Sequence, residues 1–212
     1  MNATLQHIWD IRPGEGRALA LGLAATFCLG AGLLFLYAAS RAVFLAAYPS
    51  SDLPYVYIGV ALGTVAMWLA FTLFERRLSP EVLAAGTLAL LAASLAGLRL
   101  WLAWDPSGWP ALVLAVWFDV AYILSGLAFW GLANSVFDLA QAKRLFGLMG
   151  AGEFLAVCLA GLATPPLARL LGAPDLLWLA VAGLAAALAC TAGLGRAGRA
   201  LAQPTQQPAH TA

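Results

Sequence analysis

Six apolar runs dominate this chain, and each is long enough to cross a lipid bilayer. They fall at roughly Ala18–Phe44, Pro54–Phe74, Val82–Trp104, Pro110–Phe137, Leu145–Leu170 and Pro174–Leu194. A hydrocarbon core about 30 Å thick needs roughly 20 helical residues to span it. Inside that core every backbone N–H and C=O must be bonded within the protein, which leaves only helices and closed barrels. The runs show no strict alternation of apolar and polar residues, so they read as helices rather than barrel strands. Turn-forming stretches separate them: PSSDLP at 49–54, RRLSP at 76–80, DPSGWP at 105–110 and LGAPD at 171–175. The expected fold is therefore an all-α integral membrane protein, a six-transmembrane-helix bundle.

Composition agrees with the runs. Of 212 residues, 63% are hydrophobic and only 10% charged, against about 25% charged in a soluble domain. So few charges cannot cover a water-facing surface. The net charge of +1 carries no electrostatic footprint for nucleic acid, and the surrounding partner is membrane lipid. Cys28, Cys158 and Cys190 each lie within an apolar run, with no Cys or His neighbour at ligand spacing, so neither a metal site nor a disulfide is expected. The only histidines, His7 and His210, are in the terminal segments. No nucleophile–base constellation forms, and the chain reads as a non-enzyme without a cofactor.

The basic residues give the orientation. Arg12 and Arg17 precede the first run, Arg76 and Arg77 follow the second, Lys143 and Arg144 follow the fourth, and Arg196 and Arg199 follow the sixth. The other side holds only Arg41, Arg99 and Arg169, each near the end of a run. By the positive-inside rule both termini are expected in the cytoplasm, with the chain multi-pass in an inner membrane. Tyr48, Tyr55, Tyr57, Trp101, Trp104 and Trp109 then gather at the outer boundary as an aromatic belt. The apolar stretch after Arg17 is far longer than a signal core and reads as a retained helix. The organisation expected is an N-terminal segment over 1–17, a membrane domain over 18–195, and a disordered Pro- and Gln-rich tail over 196–212.

Two carboxylates stand out because lipid does not tolerate them. Asp119 falls well inside the fourth run, and Glu153 lies at similar depth in the fifth. A carboxylate there costs several kcal/mol unless it faces a cavity, meets a cation or takes a proton. Each is thus a candidate binding residue, set against the alternative of a buried ion pair that fixes helix packing. Arg41 shares the outer half of the membrane with Asp119 and can pair with it. Arg99 and Arg169, near run ends, are expected to snorkel to the outer interface. In the fourth run Asp119, Tyr122 and Gly126 share a helical face, with Trp130 next along it, and Ser125 and Asn134 add polarity. That stripe suits a cavity lining and equally suits interhelical hydrogen bonding.

The stretch QAKRLFGLMGAGEF at 141–154 resolves by elimination. It lacks the GK[ST] ending of a phosphate loop, and no strand precedes it. Gly147, Gly150, Ala151 and Ala160 remain as small residues for close helix packing, with Gly147 and Ala151 four apart. Gln141, Lys143 and Arg144 then stand at the cytoplasmic mouth. There they either set topology or, with Arg76 and Arg77, form a cationic gate.

The run WGLANSVFDLAQAKRLFGLMGAGEFLA at 130–156 resembles the fourth-to-fifth-span segment of the bacterial and plastid ATP/ADP translocase-like nucleotide transporters. It is particularly similar to their bacterial relatives within the major facilitator group. DIRPGEGRAL at 10–19, LPYVYIGVALGTV at 53–65 and FERRLSP at 74–80 resemble further segments of the same relatives. The resemblance implies one six-helix half of a twelve-helix carrier with a central cavity and alternating access. It places Arg41 near a first-span basic residue that meets anionic nucleotide in that family. The function expected is a half-carrier for a small solute, of an anionic or nucleotide-like kind by that resemblance, working by alternating access after it pairs with its own copy or a partner half. Arg41, Asp119, Tyr122, Trp130, Asn134 and Glu153 would bind the solute. The alternative is a non-transporting membrane module: an anchor, an assembly subunit or a degenerate carrier half.

Overall fold

The computed structural model describes residues 15–105 and 107–202. Helix α1 spans Gly16–Ala47, α2 Leu53–Glu75, α3 Pro80–Trp104, α4 Trp109–Val136, α5 Leu139–Leu171 and α6 Leu176–Ala202. Short 3-10 turns at Ser50–Asp52 and Ala173–Asp175 lead into α2 and α6. All six helices are long and apolar enough to cross a membrane, and no strand occurs among the described residues. The chain is built as a multi-pass membrane protein.

Local chemistry sets the helix ends. Pro54, Pro80 and Pro110 each occupy the first or second position of a helix, where a missing N–H costs nothing. Ser79 caps α3 by accepting from the Val82 N–H. Between α3 and α4, hydrogen bonds from the Ser107 hydroxyl and backbone N–H, and from the Trp101 indole, hold the Asp105 carboxyl below its ordinary range. Gly108 then turns with φ at +85° against the Tyr48 ring, a conformation L side chains rarely adopt.

Three boundaries differ from the expected ones. Helix α5 begins at Leu139 rather than Leu145, because Asp138 and Gln141 form a reciprocal capping box: the Asp138 carboxylate accepts the Gln141 N–H at 2.8 Å, and the Gln141 side chain accepts the Asp138 N–H at 3.0 Å. Lys143 and Arg144 therefore lie on the helix, not in a loop ahead of it. Helix α6 continues to Ala202, so 196–202 is helical rather than disordered tail. Its Arg199 pairs with Glu81 at the start of α3 and complements the helix dipole. Helix α1 starts at Gly16, inside the expected N-terminal segment. The readings made on residues 1–14 and 203–212, including His7 and His210, lie outside the described residues.

Helix α1 is the hub. Half of its most apolar window is buried inside the bundle, and it packs along α6 and α5 and against α4. Helix α4 packs in turn against α3, α2 and α1, and α3 lies along α6. This set of neighbours maps onto itself when α1, α2 and α3 are exchanged for α4, α5 and α6. The pair α1–α5 becomes α4–α2, α1–α6 becomes α4–α3, and α1–α4 and α3–α6 are unchanged. Two three-helix units arranged as inverted repeats would give this pattern of neighbours.

One leucine-rich core joins five of the helices, through Leu29, Leu36, Leu91, Leu95, Leu132, Leu145 and Leu184 among others. Helix α2 stays peripheral. Val56 is its one buried residue, packed with Phe44 and Ala115 in a separate cluster.

The α1–α6 seam is held close by Gly32 and Gly183: a Cβ on Gly183 would stand 2.7 Å from the Gly32 Cα. The α1–α5 seam uses Met149, Gly152, Ala156 and Ala160, all buried, against Gly22, Thr26 and Gly30. This corrects the expected packing face. Gly147 and Ala151 are exposed, and a Cβ on Gly147 or Gly150 would meet nothing within 4 Å. Of the four small residues expected, only Ala160 lies in the seam. Spacing identifies residues that share a face but not which face meets the neighbour.

Gly183→Ala should therefore lower the stability of the purified protein by about 1–3 kcal/mol, the usual cost of overpacking. Gly147→Ala should leave it unchanged or raise it by about 0.5–1 kcal/mol through helix propensity. Thermal unfolding in detergent checks both, and equal destabilisation would contradict the seam.

Candidate functional site

The charges within the spans are arranged helix against helix. Arg41 of α1 donates from Nη2 to Asp119 Oδ2 of α4 at 3.2 Å, the pairing their shared depth allows. The guanidinium also lies 5.6 Å from the ring centroids of both Tyr37 and Phe118. Those rings sit 5.2 Å apart. A cation set against two aromatic rings and one carboxylate loses far less on leaving water than a bare one. Arg41 Nη1 is buried without a hydrogen-bond partner, so the pair is tight on one side only.

Arg99 does not snorkel as its position near the end of the third run suggests. Its Nε and Nη2 donate to Asp175 Oδ1 at 3.0 and 2.5 Å, tying α3 to the turn before α6. Asp175 lies in the LGAPD turn, on the same side as Arg99, but the sequence does not say which basic residue that turn meets. Arg169, in the last turn of α5, is exposed.

At the other end of the bundle the four expected gate residues occupy different settings. Arg76 and Arg77 are exposed where α2 ends, and Lys143 is exposed on α5. Arg144 instead donates to Glu15 Oε1 at 3.2 Å, beside Gln141, whose Nε2 donates to the same oxygen at 3.1 Å. Glu15 is almost wholly buried. The contact clips the start of α5 to the start of α1.

Glu153 is different. The early start of α5 places it roughly 21 Å from Leu139 along the axis, at 1.5 Å per residue, near the middle of the helix. Its side chain is half-buried, and among the described residues none forms a hydrogen bond or ion pair with it. It faces a cavity of about 290 Å³ between α1, α4 and α5. Tyr122, Ser125, Gly126, Phe129 and Trp130 line it from α4, and Thr26 from α1. A smaller space of about 120 Å³ adjoins it, sharing Leu33, Tyr122 and Glu153 and reaching Tyr37 and Phe118. Two hydroxyls are committed: Thr26 donates to Met149 O at 2.7 Å, and Ser125 donates to Tyr122 O at 3.0 Å. Each oxygen retains lone pairs to accept a further bond.

Of the residues expected to bind solute, Tyr122, Trp130 and Glu153 meet at this cavity. Arg41 and Asp119 stand beside it, bound to each other. Asn134 is exposed and outside the cavity lining, since it stands about 18 Å along α4 from Tyr122 at 1.5 Å per residue. Thr26, Phe129, Tyr37 and Phe118 were not singled out from sequence. Tyr37 carried a usable signal, standing four residues before Arg41 and hence on its face. Thr26 and Phe129 carried none, since each is an ordinary residue of an apolar helix. No protein-family model, curated protein or solved structure matches the chain.

Asp119→Ala would leave Arg41 without its counter-charge. About a quarter of each side chain is accessible, so the expected loss is about 2–3 kcal/mol, below the 3–5 of a fully buried pair. The double variant Arg41→Met with Asp119→Leu should recover most of that loss. A double variant as unstable as the single one, by thermal unfolding in detergent, would contradict the pairing.

Proposed function

We propose that the chain is one six-helix half of a membrane carrier, moving a small solute by alternating access after it pairs with its own copy or with a partner half. The observation that carries this reading is Glu153: a mid-span carboxylate kept without an internal partner, facing a cavity between three helices. Such a group is expensive in lipid and persists where something wet or charged meets it. The pattern of helix neighbours, unchanged when the two three-helix units are exchanged, supports the same reading. Carrier halves of the major facilitator group are built as nested inverted repeats, as the resemblance of 130–156 to the ATP/ADP translocase-like family implies. The charge distribution supports placing both termini in the cytoplasm and the protein in a bacterial inner membrane.

In this mechanism Glu153 is the group that changes partners. It takes a proton or a cationic group when the cavity is open to one side and releases it on the other. Arg41 and Asp119 hold α1 to α4 at one end of the cavity, and Glu15 with Arg144 holds α1 to α5 nearer the other. The exposed apolar faces of α2 and α5 supply surface for a second half. That same surface favours a second reading, a non-transporting membrane module such as an anchor, assembly subunit or degenerate carrier half.

The test is purification followed by reconstitution into liposomes containing a pH-sensitive dye. Light scattering in detergent should show a mass of at least two copies, or one copy with a co-purifying partner. Adding organic ammonium ions, inorganic phosphate and nucleotides in turn should produce proton movement with at least one class. Glu153→Gln should cut that movement at least tenfold. A strict monomer that moves no protons with any of them would overturn the carrier and favour the module.

A further inference from the structure

The chain already solvates one cation inside its membrane span, and the way it does so reappears next door without a cation of its own. Around Arg41 the elements are Asp119 at 3.2 Å and the rings of Tyr37 and Phe118, each 5.6 Å from the guanidinium carbon. Around the adjoining cavity they are Glu153 with the aromatic side chains of Tyr122, Phe129 and Trp130. A carboxylate with electron-rich ring faces is the usual means of binding an ammonium group away from water.

We propose that this cavity is a binding site for a small organic monocation, an amine or quaternary ammonium compound, whose charged nitrogen is met by Glu153 and the aromatic lining. The proposal rests on the carrier reading for its purpose, but not for its chemistry. Three observations on the lining support it. The sign of charge is negative: Glu153 is the one carboxylate among the described lining residues, and Arg41, bonded to Asp119 through Nη2 only, is not part of that lining. The size is small: about 290 Å³ lies at the lower edge of the roughly 300–1,000 Å³ typical of small-molecule sites. That space accommodates a compact amine. The polarity is low: Thr26 and Ser125 have spent their protons on backbone carbonyls, so their oxygens can only accept. Those acceptors suit a cation's N–H groups, and the donors left in the lining are the Tyr122 hydroxyl and the Trp130 indole, both neutral.

The neighbouring elements add no competing charge. Among the described residues, those sharing the space with Glu153 from α1 and α4 include Thr26, Gly30, Leu33 and Tyr122, all uncharged, and the Arg41–Asp119 pair outside the lining carries no net charge. Depth also excludes a lipid headgroup as occupant, since Glu153 lies mid-helix, about 21 Å from where α5 begins. The expected ligand is a free solute.

The experiment uses the full-length protein in detergent, with binding of tetramethylammonium followed by equilibrium dialysis of the radiolabelled ion. Saturable binding should appear, and Glu153→Gln should weaken it at least tenfold. Glu153→Asp, which keeps the charge, should retain a measurable share. Trp130→Leu should weaken it about three- to tenfold, whereas Trp130→Phe should bind nearly as the unaltered protein does. Unchanged melting temperatures for the Glu153 variants would establish that the site, not the fold, was altered. Competition by sodium at equal concentration would overturn the proposal by showing an inorganic cation site. Binding unaffected by Glu153→Gln, or saturable phosphate binding in place of tetramethylammonium, would also overturn it. The assay needs no pairing and no flux, so Glu153-dependent binding without transport would retire the carrier and keep the site. Glu153-dependent transport of an anion would do the reverse.

Discussion

An ionised side chain within hydrocarbon must be met by something, and this requirement organises the bundle. The protein answers it in two ways. Arg41 and Asp119 neutralise each other across α1 and α4, with Tyr37 and Phe118 against the guanidinium. Glu153 is given space instead of a partner. The first solution fixes two helices relative to each other; the second leaves a group free to respond to whatever enters. A bundle with only paired charges would be rigid but chemically silent. One with only unpaired charges would pay several kcal/mol for each.

Placing Glu153 in this way depends on how closely α5 can approach α1. The backbone of Glu153 passes so near Gly30 that a Cβ on the glycine would stand 2.9 Å from the Glu153 carbonyl oxygen. One turn earlier on each helix, Thr26 donates to the Met149 carbonyl at 2.7 Å, and Gly152 makes room for its hydroxyl. Without a hydrophobic drive between helices in lipid, close backbone contact and such bonds supply the association. The capping box at Asp138 and the Glu15–Arg144 contact fix the same helix at its start. Several independent contacts therefore converge on the position of one carboxylate.

How much of this could be read from the chain depends on which physical rule was in play. The number of helices was legible because a membrane span is a length requirement, and the six apolar runs satisfy it. The Arg41–Asp119 pair was legible because topology puts both at one depth and lipid leaves them few alternatives. Helix boundaries were less so: α5 gained six residues because the Asp138–Gln141 box caps a polar stretch that hydropathy assigns to a loop. The packing face was misread, since Gly147 with Ala151 and Gly152 with Ala156 have the same spacing and only the neighbour chooses between them. Asp175 as the partner of Arg99, and Thr26 and Phe129 as cavity lining, were not legible. Those depend on how helices distant in sequence are rotated about their axes, and neither composition nor period encodes rotation.

The sparse attachment of α2 has a consequence for how this sequence can change over time. With Val56 its single buried residue and α4 its main neighbour, most of its side chains face away from the rest of the bundle, toward acyl chains or a second half. An acyl chain deforms to suit a leucine, a valine or a phenylalanine alike. Where those positions face lipid, drift is therefore limited by greasiness alone, whereas at Gly32, Gly152 or Gly183 each added methyl must displace a neighbouring atom.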